Sequence, residues 1–438
     1  MPVYYHTFGC KANQYDTERM RQEVEARGGS TTRERSDADI VVVNTCTVTN
    51  QADADARRFI RRIRREQPDT KIVVAGCSAA LHEAAYASMD GVEHVVRGHD
   101  PEVVAHGVLR GISAPRLTTI EVRAPLDRMH HEPIGGDLLR TRAGASRGWL
   151  KVQDGCDRKC SFCATRLARG ASRSRPPAEV VAEARLLAES HPELVITGIH
   201  IGHYGLDLDP GRTLSALCAT LLDEVPDVRF RLGSVEATEV DDRLLELLGT
   251  SGSRLVPHLH MPLQSGADPV LRSMRRWHTR EQYRARALEI AARVSPLGLG
   301  ADVITGFPGE RESDHAETRA LIEELPFTYL HVFPFSPRND TVAATLLNPV
   351  PQRIAGERAR ELRELAHEKG AAHRSARVGS SAEVVVEGAG GSGLTEDYLR
   401  VGVPADVEHS RGLLHGTLRS DGTDLYIDPP HRSAPIHA

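Results

Sequence analysis

Three cysteines in one short loop near the middle of the chain have the type and spacing for metal chemistry. Cys156, Cys160 and Cys163 follow an apolar run with the spacing C-x3-C-x2-C. Thiolates this close must face a common point or repel one another, and a metal centre is the usual reason for such a set. The next candidates for a fourth ligand, His191 and Cys218, are remote in sequence. Three ligands with an open position favour a [4Fe–4S] cluster, and structural zinc is the alternative.

A second set of three cysteines is spread over the N-terminal part of the chain. Cys10, Cys46 and Cys77 each come at the end of an apolar, β-rich run, and helical patterns separate these runs. Such runs between helices predict a parallel sheet, in which the carboxyl ends of the strands meet at one edge. We therefore expect a second metal or cluster site. The alternative is three separately buried cysteines, which often pack as small hydrophobic residues.

The elements that must position the first set, here called the loop triad, form another α/β unit. From residue 148 to about residue 340, β-rich runs alternate with amphipathic helical patterns, and the cysteine loop follows the first run. Repeated βα units predict a parallel barrel or partial barrel with its site at the carboxyl ends of the strands. The predicted strands are 149–152, 194–197, 228–232, 258–262, 300–304 and 329–334.

The last part of the chain changes character. A long charged helix is predicted from Gln352 to about Ser375, and four short β-rich runs split by glycines follow it. They predict a small β-barrel, a shape often used to bind nucleic acid, with a disordered tail from Pro429. The predicted domains are residues 1–112, a Pro- and Gly-containing linker at 113–141, residues 142–375 and residues 376–438.

The composition excludes several other classes of protein. The chain has 438 residues, enough for two or three domains, and is 40% hydrophobic and 26% charged. No apolar run approaches the roughly 18 residues that span a membrane, and the N-terminus lacks a signal-peptide core. Seven scattered cysteines favour reduced thiols in the cytoplasm over a disulfide framework. The net charge of −5 does not by itself indicate a nucleic-acid partner.

Motifs around both cysteine sets resemble those of the radical S-adenosylmethionine (SAM) methylthiotransferases. The loop triad, with Phe162 before its third Cys, is similar to the radical-SAM signature. Residues 7–18, 44–49 and 75–77 are similar to the N-terminal domain of that family. The middle of the chain resembles its partial barrel, and residues 376–438 resemble a TRAM domain, an RNA-binding β-barrel. The resemblance covers nearly the whole chain and implies an enzyme.

Within the family, four stretches resemble the branch that acts on N6-threonylcarbamoyladenosine in tRNA, the modified adenosine 3′ of the anticodon. These stretches are residues 49–58, 151–156, 197–200 and 395–398. The alternatives are relatives that modify isopentenyl-adenosine in tRNA or an aspartate in a ribosomal protein, and a non-catalytic RNA-binding metalloprotein. The chain departs from its relatives at residues 164–167 and 277–279, both near the predicted mouth of the barrel.

The resemblance implies two [4Fe–4S] clusters, with SAM as cosubstrate. A cluster on the loop triad would bind SAM through its open iron, and SAM cleavage would give a 5′-deoxyadenosyl radical that takes hydrogen from C2 of the adenine. A cluster on Cys10, Cys46 and Cys77, here called the sheet triad, would hold the sulfur that a second SAM methylates. The seventh cysteine, Cys218, is expected to be a packed core thiol.

Further site residues are predicted at or just after the barrel-strand ends and in two basic patches. The alternatives are ordinary loop residues and solvated charged faces. His200, His258 and His260 are expected to be structural or to support the site. The expected partners are tRNA, an electron donor and a sulfur donor. The protein is expected to be a monomer and not to bind a membrane. The predicted SAM contacts are Phe162, Thr197, Gly198, Ser234, Glu236, Gln264, Val303, Ile304 and Gly306, and the predicted RNA contacts are Arg61, Arg62, Arg169 and Arg173.

Overall fold

The computed structural model describes residues 1–110, 138–387, 391–404, 412–422 and 424–429. Three units follow one another: a parallel α/β unit, a six-stranded partial barrel and a small closed β-barrel. Of the predicted linker, the part before residue 138 lies outside the described residues, and so does the predicted tail from residue 430. Within the described ranges, no helix is long and apolar enough to cross a membrane.

The N-terminal unit is a parallel sheet of five strands in the order β2-β1-β3-β4-β5, with helices on both faces. The continuous apolar run of β3 explains this arrangement: Val42 packs on one face with Met20, and Val41 packs on the other with Ile60. The strands β2 and β5 were not predicted because they have only two and four residues, and the helix α5 was not predicted either. The elements are β1 (Pro2–Thr7), α1 (Lys11–Ala26), β2 (Ser30–Thr31), a 3-10 turn (Arg35–Asp37), β3 (Ile40–Thr45), α2 (Asn50–Glu66), β4 (Lys71–Gly76), α3 (Cys77–Leu81), α4 (Glu83–Ala87), β5 (Val92–Val95) and α5 (Pro101–Arg110).

The middle unit confirms the predicted partial barrel. Its six parallel strands form two sets, β6-β9-β10 and β11-β12-β13, joined by bridges such as that between Ser234 and His260. The elements are β6 (Arg147–Lys151), β7 (Gln153–Asp154), α6 (Thr165–Arg169), β8 (Arg173–Ser174), α7 (Pro177–Ala188), β9 (Glu193–Thr197), α8 (Leu214–Glu224), β10 (Arg229–Leu232), α9 (Asp242–Thr250), β11 (His258–His260), α10 (Asp268–Ser273), α11 (Arg280–Arg293), β12 (Gly298–Thr305), α12 (Glu312–Glu324), β13 (Tyr329–Pro334) and α13 (Gln352–Arg377), with 3-10 turns at Ile201–His203, Ala237–Glu239 and Val342–Thr345.

The C-terminal unit is a closed barrel in the strand order β14-β15-β16-β18-β17, around a core that includes Val384, Leu418 and Ile427. It has five strands where the sequence showed four runs, because β15 falls in a glycine-rich stretch that resembles a turn. The strands are β14 (Ser381–Glu387), β15 (Ser392–Thr395), β16 (Arg400–Gly402), β17 (Leu413–Ser420) and β18 (Leu425–Asp428).

One side of the C-terminal barrel closes the amino-terminal end of the partial barrel. The buried guanidinium of Arg229 donates to Glu383 O at 2.8 Å, and that of Arg231 donates to Thr395 O at 2.9 Å. Both arginines also pair with Glu193. A Cβ at Gly298 would lie 2.2 Å from Asp397 O, so the two units approach as closely as glycine allows. The carboxyl-terminal end of the barrel is left for the cysteine loop.

Candidate active site between two cysteine triads

The loop triad follows β7 on a segment fixed at both ends. Gly155 has a φ of +69°, and a Cβ there would lie 1.8 Å from Ala171 O, so only glycine fits before Cys156. The Cys156 N–H donates to Gly170 O at 3.1 Å. Farther along, the Ser161 N–H donates to Met274 O at 3.0 Å. The loop therefore lies against α6 on one side and α10 on the other.

The sheet triad lies at the carboxyl edge of the N-terminal sheet. Cys10 immediately precedes α1, Cys46 follows β3, and Cys77 begins α3 directly after β4. The strands β1, β3 and β4 are neighbours in the sheet, so the three strand ends lie side by side. A Cβ on Gly9 would lie 2.5 Å from Cys46 Sγ, and the Asn13 amide joins the loops after β1 and β3 by donating to Phe8 O and Thr45 O.

Burial, and to a smaller extent the neighbouring thiols, raises the pKa of a cysteine in each triad. Burial raises the pKa of Cys77 to about 12, Cys46 and Cys10 add to this, and Arg169 opposes it. Burial likewise raises the pKa of Cys156 to about 12, with Cys163 and Cys160 adding. Deprotonated thiols here would repel one another in a partly dry site. A bound cation offsets both the repulsion between the thiolates and the cost of burying their charge. Metal binding and thiol deprotonation are usually coupled in this way.

Hydrogen-bond donors surround the sulfur atoms. Cys46 Sγ accepts from Val48 N at 3.3 Å, Cys77 Sγ from Arg169 Nε at 3.3 Å, and Cys163 Sγ from Thr165 N at 3.4 Å. Arg276 Nη1 lies 3.6 Å from Cys160 Sγ. Three sulfur ligands with N–H donors around them fit a [4Fe–4S] cluster that keeps one iron open.

A histidine also lies beside each triad. His99 Nε2 is 3.6 Å from Cys77 Sγ, and His200 Nδ1 is 3.5 Å from Cys156 Sγ. Neither His forms a compact zinc-type set with its triad. Among the described residues, the sets of three ligand atoms that lie within 4.8 Å of one another are His200, His203 and Glu239, and His260, Asp302 and His331, and neither set contains a cysteine. The other ring nitrogen of His200 is bound to Glu239, at 2.9 Å. The spacing of the sulfur atoms therefore suits a cluster better than a single zinc ion.

A buried ion-pair network joins the two units that carry the triads. Lys151 Nζ donates to Asp16 Oδ1 at 2.7 Å and to Asp154 Oδ2 at 2.6 Å. Arg169 donates to Asp154 at 2.9 and 3.0 Å, to Asp16 Oδ2 at 2.8 Å and to Cys77 Sγ. These arginine and lysine neighbours hold the pKa of Asp154 and Asp16 below the usual range although burial opposes them. The network therefore connects β7, which directly precedes the cysteine loop, to the sheet triad.

The prediction of an RNA contact at Arg169 is wrong for this arrangement. Its side chain is only about 1% exposed, and its donors are taken up by the junction between the two units. The residue is the buried last residue of α6. Arg61 and Arg62, by contrast, are exposed on α2, and Arg173 is half-buried on β8.

The predicted SAM contacts lie in three different settings. Ser234 is exposed beyond β10, and Gln264 has a φ of +67° beyond β11, a strained value for a residue other than glycine. Thr197 and Gly198 end β9, and the ring of Phe162 packs near Phe307 and Ile304. The side chain of Val303 belongs to the core between the strands and helices, and a Cβ on Gly306 would meet Ala355. A side chain at either position would therefore not point into the barrel mouth.

Glu236 is paired with an arginine that sequence reasoning missed. Arg276 donates to Glu236, lies near Cys160 and covers the ring of Trp277, with its guanidinium carbon 4.2 Å from the ring centroid. Arg158 approaches the same ring at 4.0 Å. Trp277 is one of the positions where the chain departs from its relatives, and the large ring offers both arginines a cation–π contact.

A small cavity lies beside one cysteine of each triad. It has a volume of about 170 Å³, and Thr47 beside Cys46 and Ala164 beside Cys163 lie on its wall. Arg338, which also lines it, was not predicted from the sequence. Arg338 follows β13, so the rule that site residues follow the carboxyl ends of parallel strands could have found it if applied to the last strand.

Two family models match the chain. Residues 2–98 match the model described as "Uncharacterized protein family UPF0004", and residues 150–322 match the "Radical SAM superfamily". The first range contains the sheet triad and the second contains the loop triad. A solved radical S-adenosylmethionine methyltransferase, TsrM from Kitasatospora setae with cobalamin and a [4Fe-4S] cluster bound, is similar in fold, with a TM-score of 0.59 and 16% identity over 78% of this chain and 77% of that chain.

Curated relatives cover most of the chain. Threonylcarbamoyladenosine tRNA methylthiotransferase MtaB of Bacillus subtilis (strain 168) is 36% identical, over 91% of this chain and 89% of the relative. The protein of the same name from Rickettsia prowazekii (strain Madrid E) is 36% identical, over 82% and 81%. The tRNA-2-methylthio-N(6)-dimethylallyladenosine synthase of Sorangium cellulosum (strain So ce56) is 35% identical, over 89% and 82%. These relatives, which are named as tRNA-modifying enzymes, show that the chain belongs to the radical-SAM methylthiotransferases.

Proposed function

We propose that the protein converts N6-threonylcarbamoyladenosine, 3′ of the anticodon in tRNA, to its 2-methylthio form. The observation that carries this proposal is that one small cavity lies beside a cysteine of each of the two three-cysteine sites. Thr47 and Ala164, which line that cavity, are each the direct neighbour of a triad cysteine. A substrate base held between the triads would be within reach of both.

The reaction requires chemistry that side chains lack. The C2–H bond of adenine is unactivated, and no amino-acid base removes that hydrogen, so a cofactor must supply a radical. A [4Fe–4S] cluster on the loop triad, with SAM bound, would supply the electron for SAM cleavage and hence this radical chemistry. A second cluster on the sheet triad would hold the sulfur to be added.

The residues around the loop triad have supporting roles in this proposal. Arg276 pairs with Glu236 and approaches Cys160, so it would fix the carboxylate next to the bound SAM. The other proposed SAM contacts are Thr197, Gly198, Ser234, Gln264, Ile304 and Phe162 by side chain or backbone, and Val303 and Gly306 by backbone alone. His200, which is bound to Glu239, would orient the loop beside Cys156.

The choice of substrate does not follow from overall identity, because relatives named for the two tRNA substrates are 36% and 35% identical to this chain. It is supported by position. The stretch 49–58, which resembles the threonylcarbamoyladenosine branch, contains Asn50, Asp53 and Arg57, and all three line the cavity between the triads. The stretch that resembles this branch therefore lies at the cavity beside both triads.

The remaining assignments complete the proposal. We keep the predicted domain limits, with residues 376–438 as a TRAM-like unit that binds tRNA on the surface left free by its docking to the barrel. Arg61, Arg62 and Arg173 would contact tRNA phosphates. The enzyme would act as a cytoplasmic monomer and receive electrons and sulfur from separate donors.

Mass spectrometry of nucleosides from tRNA of a strain that lacks the gene tests the substrate. We expect loss of 2-methylthio-N6-threonylcarbamoyladenosine and accumulation of the unmethylthiolated form. Expression of the intact chain should restore the modification, and the Cys156→Ala variant should not. Loss of the 2-methylthio form of isopentenyl-adenosine instead would assign the protein to the other tRNA branch, and an unchanged nucleoside profile would reject the proposal.

A further inference from the structure

The cavity beside the triads is lined by an arginine, Arg338, that forms no ion pair among the described residues. The Arg338 side chain is more than nine-tenths buried, with the residue 8% exposed. Its Nη2 donates to Thr47 Oγ1 at 2.6 Å, whereas its Nε and Nη1 have no hydrogen-bond partner among the described residues. Leaving donors of a buried guanidinium unpaired is costly, so such a group usually marks a place where a ligand completes the set.

The nearest carboxylate cannot serve as that partner. Asp53 lines the same cavity, but its Oδ1 accepts from Ser78 and Tyr86 and its Oδ2 accepts from Arg57. These bonds use the carboxylate and tie it to α2. Because Arg57 already balances Asp53, the charge of Arg338 remains as the excess in the cavity.

The position of Arg338 is fixed by the N-terminal unit. Asn50 Nδ2, at the start of α2, donates to Pro337 O at 2.6 Å, and Arg338 itself donates to the loop that follows Cys46. Burial lowers the pKa of Arg338, and Asp53 and then the thiols of Cys46 and Cys163 oppose this electrostatically. This arginine therefore lies between the two triads and is held in place by contacts from both units.

The volume and surroundings of the cavity indicate the class of ligand. About 170 Å³ is below the roughly 300 Å³ of small typical ligand pockets, so the cavity suits one charged group rather than a nucleoside. A larger open cleft of about 550 Å³ shares Asp53, Arg57 and Asn339 with it and leads outward past Arg58 and Arg61. Arginines therefore follow the whole path from the protein surface to the gap between the triads.

We propose that Arg338, assisted by Arg57, binds an oxyanion of the RNA substrate in the cavity between the two triads. A planar guanidinium matches carboxylate and phosphate groups in the same bidentate way. In the proposed substrate the oxyanion is the carboxylate of the threonylcarbamoyl group or a neighbouring phosphodiester. The inference rests on the proposed function in that it takes tRNA as the substrate.

Equilibrium binding of two anticodon stem-loop RNAs to the reconstituted full-length protein tests this inference. One RNA carries N6-threonylcarbamoyladenosine 3′ of the anticodon, and the other carries unmodified adenosine there. The variants are Arg338→Gln, Arg338→Lys, and Arg353→Gln as a control at an exposed arginine that pairs with Glu357 on α13. Melting temperature and iron content of each variant are measured in parallel, so that a misfolded variant is recognised and Arg338→Lys is then used for the comparison.

The two sources of the oxyanion give different results. If Arg338 binds the carboxylate, Arg338→Gln weakens binding of the modified RNA by about tenfold or more and leaves the unmodified RNA unchanged. If it binds a phosphodiester, Arg338→Gln weakens binding of both RNAs equally. The slope of the logarithm of the binding constant against the logarithm of salt concentration then falls in magnitude by about one. The Arg338→Lys variant should keep part of the affinity in either case, because it keeps the charge.

Other outcomes contradict the inference. Wild-type affinity of a folded Arg338→Gln or Arg338→Lys variant for both RNAs would overturn it while leaving the proposed function intact. An equal loss with Arg353→Gln would also overturn it, since that residue is remote from the cavity. Failure of the wild-type chain to bind either RNA would contradict both the inference and the proposed function, whereas the nucleoside profile tests the proposed function by itself.

Discussion

At the scale of single residues, the site depends on a few positions where backbone or charge is tightly constrained. Gly155 allows the cysteine loop to turn against Ala171. Arg169 donates hydrogen bonds both to Asp154, before that loop, and to the sulfur of Cys77 in the sheet triad. Cysteine spacing alone predicted neither role. The glycine fixes the path of the loop triad, and the arginine fixes the position of the loop triad relative to the sheet triad.

The Gly155→Ala variant should lose iron from the loop triad. A Cβ at Gly155 would overlap Ala171 O, and alanine would also keep an unfavourable φ of +69°. Gly252→Ala is the matched control, because its φ is +63° and nothing lies within 4 Å of the added Cβ. Both variants carry a conformational cost of about 1–2 kcal/mol, and only the first carries the clash.

Iron analysis and thermal melting after anaerobic reconstitution check this prediction. We expect Gly155→Ala to retain about half of the wild-type iron, since the sheet triad is untouched, and to melt below the control. An iron content equal to that of Gly252→Ala would show that the loop tolerates the change. The account of a rigid cysteine loop would then be wrong.

At the scale of secondary-structure elements, two contacts fix the barrel from opposite sides. Helix α1 begins directly after Cys10 and then packs along β6, where Gln14 accepts from Trp149 Nε1 at 3.1 Å and Asp16 accepts from Lys151. At the other end of the barrel, β9 and β10 present Glu193, Arg229 and Arg231 to the C-terminal unit. Strand β6 therefore contacts the N-terminal unit, and its neighbours β9 and β10 contact the C-terminal unit.

Acid should weaken the contact between the partial barrel and the C-terminal unit by protonating Glu193. Burial alone would raise the pKa of this carboxyl group, but Arg231 and Arg229 lower the pKa to about 2 from an ordinary value of 4.5. The stabilisation is therefore complete above about pH 4.5 and is lost as the pH falls toward 2, with a total of at most about 3 kcal/mol. Glu193→Gln should flatten the fall of the melting temperature between pH 5 and pH 3.

Calorimetry of the cluster-free protein checks this pH dependence without interference from acid-labile clusters. Glu224→Gln serves as the control, because Glu224 is an exposed partner of Arg185 and should leave the wild-type slope unchanged. If Glu193→Gln and Glu224→Gln have the same slope, the Glu193 cluster does not carry the acid sensitivity.

The sequence was most informative where local pattern determines structure. Apolar runs such as that of β3 predicted both parallel sheets, and the carboxyl-end rule predicted that Cys10, Cys46 and Cys77 would meet. Pattern could not show how the units dock. Arg169 looked like one more basic residue after a cysteine loop, and its burial depends on Asp16, which is 153 positions away in the chain. Arg338 has no periodic or motif signal at all, since only its position after the last barrel strand relates it to the site.

At the scale of the whole molecule, the protein consists of two α/β units whose cysteine-bearing edges face each other, with a β-barrel docked at the far end. The buried network of Lys151, Asp16, Asp154 and Arg169 joins the two units. The cavity beside Arg338 lies between the triads. This arrangement supports a division of labour in which the loop triad serves SAM cleavage and the sheet triad serves sulfur insertion.

One assay tests that division most directly. The reconstituted full-length chain is incubated anaerobically with SAM, a reductant and an anticodon stem-loop that carries N6-threonylcarbamoyladenosine, and 5′-deoxyadenosine and the methylthiolated nucleoside are both quantified by mass spectrometry. Wild type and Cys218→Ala should form both products, Cys156→Ala neither, and Cys10→Ala only 5′-deoxyadenosine. Methylthiolation at the wild-type rate by Cys10→Ala, or SAM cleavage by Cys156→Ala, would contradict the account.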